Sequence, residues 1–218
     1  MSRRRQLFLT AEQVSRLADV CEEHQDGAGV LIRFLGYTGL RWGEAVALRR
    51  SAINLDRRRV RVKESATEVG GKLEWGTPKT HEARTVIAPT FLSTRLASHV
   101  DGMSPNDLVF TAPQGGPLRV SNFRRGVWTA ACDEAGMPEG LLVHDLRDTA
   151  ASLAISAGAS IKAIQRMLGH SSASMTLDVY ASLFEEDLED LADRLDAKFA
   201  AADVTSTGGE DKVVHLPR

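Results

Sequence analysis

The sequence predicts a mainly α protein with a small three-stranded antiparallel β-sheet, an α+β domain, and three observations predict it. Apolar residues recur at helical spacing on both sides of a central stretch, that stretch alternates as strands do, and glycines stand where helices should stop. Of 218 residues 43% are hydrophobic and 26% charged, which is enough apolar content to build a real core. The apolar runs are short and interrupted, so no membrane span is expected. The basic start, Met1-Ser-Arg-Arg-Arg5, is followed by no apolar h-region, so no secretory leader is expected. Cys21 and Cys132 have neither CxxC spacing nor a histidine cluster, which argues against disulfide and zinc frameworks. A cytoplasmic protein is the simplest expectation.

The elements follow in order. Thr10-Ala-Glu-Gln13 has the form of a capping box, and Val14, Leu17, Ala18 and Cys21 recur behind it, which predicts a helix over about 11–24. Val30 to Tyr37 is apolar almost all round and predicts a buried second helix ending near Gly39. A third is expected over about 42–50, with Ala45, Val46 and Leu48 as its core face. The sheet, about 57–88, draws on Arg59-Val-Arg-Val-Lys63, on Lys72-Leu-Glu-Trp75 after the Gly70-Gly71 turn, and on Arg84-Thr-Val-Ile-Ala88. Helical patterns return at about 90–100, 121–135, 145–157, 160–168, 175–183 and 186–199. Residues 1–200 are expected to form one domain with a C-terminal helix at about 185–199, and 201–218 a flexible tail.

The net charge of −2 and pI of about 6.3 look wrong for a protein that handles nucleic acid. Their distribution changes that reading. Residues 182–218 hold ten acids against four bases, which leaves the rest of the chain at +4. Arg49, Arg50, Arg57, Arg58, Arg59, Arg61 and Lys63 crowd into fifteen positions, a stripe that suits either phosphate contacts or a solvated strand and turn.

Five stretches carry residues fit for chemistry. In Thr38-Gly-Leu-Arg41-Trp-Gly-Glu44 an arginine opens a helix beside free backbone N–H donors, a natural anion site, although alone it reads as a surface arginine. Thr77-Pro-Lys79-Thr80 sets a lysine between two strands, ordinarily a solvated position. His144-Asp-Leu-Arg147 puts a histidine at a helix start and an arginine one turn in, a more specific phosphate-handling pattern. His170 follows the Gly169 helix stop. Tyr180 lies on a short amphipathic helix and fits either packing or nucleophilic attack, whereas Tyr37, the other tyrosine, belongs to an apolar helix.

Taken in this order, TGLRWGE, PKT, HDLR with DTAAS, and LGHSSASMTLDVY resemble the tyrosine recombinase (phage integrase) family, from about Thr10 to Leu183. The resemblance implies the tyrosine recombinase catalytic-domain fold. It implies a catalytic set of Arg41, Lys79, His144, Arg147, His170 and Tyr180, with Tyr180 the nucleophile and Glu44 supporting the first arginine. Arg41, Lys79 and Arg147 would also contact DNA. One departure stands out: many members have histidine after the HDLR arginine, where this chain has Asp148.

The implied activity is cleavage and rejoining of double-stranded DNA through a 3′-phosphotyrosine, for integration or excision of a phage or other mobile element. Arg41 and Arg147 would offset phosphate charge, His144 could accept the phenol proton, and Lys79 would protonate the leaving 5′-oxygen. No cofactor and no metal are expected, because arginines supply the charge offset and no carboxylate cluster is visible. The resemblance further implies a tetramer on DNA, with the stripe Leu188, Leu191, Leu195 and Phe199 packing on its own domain or docking on a neighbouring subunit. Family members usually carry an N-terminal DNA-clamping helical domain, and only about nine residues precede the first helix here, so the expectation is a catalytic-domain fragment, with an unusually short member as the alternative. Two other readings stay open: relaxation of DNA in the manner of type IB topoisomerases, and a non-catalytic DNA-binding regulator suggested by the helix–turn–helix-like elbow Ser156-Ala-Gly-Ala-Ser160.

Overall fold

Helix α1 (Ala11–His24) begins where its cap dictates. Thr10 Oγ1 accepts from the Gln13 N–H at 3.2 Å, and Gln13 Oε1 accepts from the Thr10 N–H at 2.8 Å, the reciprocal box legible in the sequence. The structure is a computed structural model, and it describes residues 6–77 and 83–183, together with 192, 193, 195–197, 199 and 200. The chain divides into two units, Met1–Tyr180 and Ala181–Arg218.

In the first unit α2 (Ala28–Thr38) is the central helix, with nine of its eleven residues buried. Its one charged residue, Arg33, is satisfied by Asp19 and by the carbonyls of Ser15 and Gly29. After Gly39 the chain enters α3 (Trp42–Val46), which is shorter than the 42–50 expected. Backbone pairing ends it: Leu48 C=O accepts from the Val109 N–H at 2.8 Å, and Arg50 N–H donates to Asp107 C=O at 2.9 Å. A tertiary contact sixty residues away overrides the local helical pattern.

Five strands follow: β1 (Ile53–Asn54), β2 (Arg59–Val62), β3 (Ser65–Val69), β4 (Lys72–Gly76) and β5 (Arg84–Ile87). A three-stranded antiparallel sheet exists as expected, but its membership differs. Its order is β1-β2-β5, with Val60 opposite Val86, while β4 pairs with β3 in a separate hairpin. Strand β3 is hard to read from local pattern, because it buries one of its five residues and so lacks clean alternation. In the sheet Val60, Val62 and Val86 point inward and Arg59 and Arg61 outward.

Helix α4 (Thr90–His99) packs on α2. The single helix expected near 121–135 is α5 (Val120–Phe123), a π-helical turn over Arg124–Trp128, and α6 (Thr129–Glu134). Helix α7 (Asp145–Ser156) lies against α2, so α2 is sandwiched between α1, α4 and α7. Ser160 caps α8 (Ile161–Leu168), its Oγ accepting from the Ala163 N–H, and Gly169 ends that helix at φ +68°. Helix α9 (Ala173–Tyr180) closes the unit.

In the second unit a 3₁₀ turn covers Ala181–Leu183. The helix expected at about 185–199 lies largely outside the described residues, as do Leu188 and Leu191. Leu195 and Phe199 are helical and exposed. The tail expected at 201–218 lies outside the described residues. Among the described residues no helix is long and apolar enough to cross a membrane.

Candidate active site

The site is organised around a buried carboxylate. Glu44, on α3, has a side chain 1% exposed. Its Oε1 accepts from Arg84 Nη1 at 2.9 Å and Arg41 Nη1 at 3.2 Å, and its Oε2 accepts from Arg84 Nη2 at 2.7 Å and the Arg41 N–H at 2.9 Å. Burial alone would push the carboxyl up, but these hydrogen bonds and the charges of Arg84 and then Arg41 outweigh it and hold Glu44 below the usual carboxylate range. The helix start read as an anion site is thus filled by the protein's own Glu44, which fixes Arg41 in place.

Arg147, in the first turn of α7, joins two helix ends. It donates through Nη1 to Gly39 C=O, at the end of α2, and through Nη2 to Leu168 C=O, at the end of α8, at 2.7 Å. Carbonyls at helix C-termini lack intrahelical donors, so this guanidinium supplies what both helices need. Both ends require glycine. Gly39 sits at φ +66° and a Cβ there would lie 2.6 Å from Leu168, while one on Gly169 would lie 2.8 Å from Arg84. Burial, and next the charge of Arg41, pull Arg147 down to about 10, so it stays cationic at neutral pH.

His170 follows on from Gly169. Its Nδ1 lies 3.0 Å from Thr176 Oγ1 on α9, and its ring runs parallel to that of Tyr180, with centroids 6.5 Å apart. Burial first, then Arg147, Arg41 and Arg84, pull this imidazole down to about 4, which leaves it neutral at pH 7. A cleft of about 480 Å³ opens beside it, lined by Arg84, Gln165, Arg166 and Ser171 among others. Tyr180 ends α9, 1% exposed, and its phenol donates to Asp148 Oδ1 at 2.7 Å. Burial, then the hydrogen bond and charge of Asp148, push the phenol above its ordinary range.

Of the residues singled out in the sequence, Arg41, Glu44, Arg147, His170 and Tyr180 thus come together through direct bonds or mutual electrostatic influence. His144 is the exposed N-cap residue of α7, next to this group in sequence, and the phenol proton points at Asp148 instead. Lys79 lies outside the described residues. Sequence reasoning missed Arg84, which clamps Glu44 with both Nη atoms and donates from Nε to Met167 C=O at 3.2 Å. Its partners stand 40 and 83 positions away in the chain, and the one local sign was an arginine at the start of a strand.

Two outcomes follow from this geometry. Glu44→Ala strands the guanidinium of Arg84 in the interior, and urea unfolding should show a loss of about 3–5 kcal/mol. For His170 the sign runs one way: between its unfolded pKa of about 6.5 and about 4, the unfolded chain binds a proton that the folded one does not. Stability should therefore fall as pH drops through that window. Urea unfolding across the window should show His170→Gln losing less stability than the wild type, and the His170 ring protons should titrate near pH 4 by NMR.

Comparison with known proteins shows the family and the fold. Residues 7–187 match the phage integrase family. The integrase of Mycobacterium phage L5 is 32% identical over 177 residues, covering 78% of this chain and 46% of that protein. The integrase of Mycobacterium phage D29 is 31% identical over 195 residues, covering 86% and 50%. The chain spans about half the length of these relatives. Among solved structures, a Tn1549 transposon integrase in complex with transposon right end DNA superposes with a TM-score of 0.73 at 19% identity, covering 86% of this chain and 66% of that one. The catalytic domain of bacteriophage HP1 integrase gives 0.59 at 22% identity, covering 85% and 95%. These two likenesses show a shared fold. On the family match and the fold together, the chain belongs to the phage integrase family.

Proposed function

We propose that this chain is the catalytic domain of a site-specific DNA recombinase that cleaves and rejoins double-stranded DNA through a 3′-phosphotyrosyl intermediate, integrating or excising a mobile element in the cytoplasm. The observation that carries this reading is a cluster of three guanidinium groups, two of them bonded to the buried Glu44 and the third, Arg147, within electrostatic reach of both Glu44 and Tyr180. Glu44 is bonded to both Arg41 and Arg84, and Arg147 lies within electrostatic reach of Arg41 first, then of Glu44 and Arg84, and last of Tyr180. Such a cluster holds more positive than negative charge, which a phosphodiester would balance.

Each residue then has a part. Arg41 is side-on to Glu44 through one Nη and keeps further N–H donors for a non-bridging phosphate oxygen. Arg147 spends two donors on carbonyls and retains three. Their effect grows as charge gathers on the pentacoordinate phosphorus. His170, neutral and held by Thr176, orients a phosphate oxygen or the phenol. Tyr180 attacks, the 5′-oxygen leaves with a proton supplied by Lys79, and the phosphodiester energy stays in the new bond. Rejoining then needs no nucleotide.

The chain's span of about half its relatives' length supports reading it as a fragment whose DNA clamp lies elsewhere in the protein. Assembly into a tetramer on DNA, with the C-terminal helix of one subunit docking on the next, is supported by the exposed Leu195 and Phe199. Deleting residues 185–218 should then abolish DNA-bound tetramers by light scattering, and undiminished tetramers exclude the exchange.

Cleavage is tested with a pool of nicked duplexes of randomised sequence, in which the broken strand traps the adduct. The wild type should form an SDS-stable protein–DNA adduct, Tyr180→Phe should form none, and Arg41→Ala should slow adduct formation by about 10²–10³-fold. A wild type that binds DNA without any adduct would instead make the chain a regulator. Joining two trapped sites distinguishes recombination from topoisomerase-like relaxation.

A further inference from the structure

Asp148 stands where many relatives of this family have histidine, and it touches the atom that would attack. It sits on α7 directly after Arg147, and its Oδ1 accepts from the Tyr180 phenol at 2.7 Å. That distance is in the short range of a hydrogen bond to a charged acceptor. The other groups near the phenol are poorly placed to take its proton. Arg147 and Arg41 are cations without acceptor atoms. His170 directs Nδ1 at Thr176, and its ring lies parallel to the phenol ring instead of edge-on to the oxygen. His144 is exposed at the helix start.

Resting on the reading of Tyr180 as nucleophile, we propose that Asp148 is the general base of strand cleavage, accepting the phenol proton as Tyr180 attacks. The step balances within the site. The Tyr180 Oη–phosphorus bond forms, the phosphorus–O5′ bond breaks, the phenol proton passes to Asp148 Oδ1, and O5′ leaves with the proton of the general acid assigned to Lys79. In rejoining, the 5′-hydroxyl gives its proton to the deprotonated Lys79 as it attacks phosphorus, the phosphorus–Tyr180 Oη bond breaks, and Asp148 returns its proton to the departing phenol.

Carboxylates are in general far weaker bases than phenolates. Asp148 need only accept once the oxygen–phosphorus bond is forming, when the phenol oxygen turns strongly acidic. An aspartate accepts a hydroxyl proton in the same way in protein kinases. At rest the same carboxylate favours the neutral phenol, and burial adds to that preference. The nucleophile is therefore kept protonated until a phosphate is clamped by the neighbouring arginines.

The test uses the 218-residue chain and the nicked duplex pool, with the adduct-forming rate as readout. Asp148→Asn, nearly the same shape, should slow adduct formation by about 10²–10⁴-fold while DNA binding is unchanged. Replacing Tyr180 with difluorotyrosine, a more acidic phenol that depends less on its base, should recover much of that loss in Asp148→Asn and change the wild type little. Should Asp148→Asn fold poorly by circular dichroism, Asp148→Ala with added formate gives the second reading, and the small carboxylate should restore the rate. An Asp148→Asn rate equal to or above that of the wild type, or a slow variant that neither the acidic phenol nor formate rescues, overturns the proposal. Absence of adduct from the wild type removes Tyr180 as nucleophile and with it the functional reading, whereas a full-rate Asp148→Asn beside an inactive Tyr180→Phe removes Asp148 alone.

Discussion

The guanidinium of Arg147, lodged between the carbonyls of Gly39 and Leu168, is the joint on which the site depends. Two helices from distant parts of the chain end at it, and each ends in a left-handed glycine with no room for a side chain. A cation so placed is costly to bury unless its surroundings are polar. The helix-end carbonyls answer that cost in part, since they carry the negative end of each helix dipole. Nearby, Glu44 answers for Arg41 and Arg84. Two guanidiniums thus share one buried carboxylate while the third rests on carbonyls, and burial first, then the charges of these arginines, keep His170 neutral.

Rigidity and reactivity divide between the elements. Arg41, Glu44, Arg84 and Arg147 are fixed by bonds to backbone or to each other, and so require little rearrangement to meet a phosphate. Tyr180 differs. It is the last residue of its helix and of the first unit, buried, with its phenol donating to Asp148. On the proposed reading, attack by Tyr180 requires its cover to part.

Much of this was legible in the sequence, for definable reasons. The capping box and the apolar stripe of α1, the all-round apolar α2, and the glycine stops at Gly39 and Gly169 are local signals, and the structure follows them. Arg41, Glu44 and Arg147 were marked by short motifs because their elements are short and their spacing is fixed. What escaped was non-local. Helix α3 gives way to backbone pairing with residues 107–109, and the polar β3 offers no alternation to read. Arg84 earns its place only through Glu44 and Met167, far off in the chain. Asp148 shows in the sequence only as a departure from the family pattern, and its contact with Tyr180, 32 positions away, exists only in the fold.

The central claim is that one phosphorus can sit between the paired arginines and the phenol of Tyr180. A crystal structure of this chain with duplex DNA nicked at the cleavage position and with orthovanadate, which mimics a five-coordinate phosphorus, tests it most directly. The account predicts vanadium bonded to Tyr180 Oη, with equatorial oxygens accepting from Arg41 and Arg147. Vanadate bound with both guanidiniums turned away from it, or with the phenol still enclosed against Asp148, would contradict it.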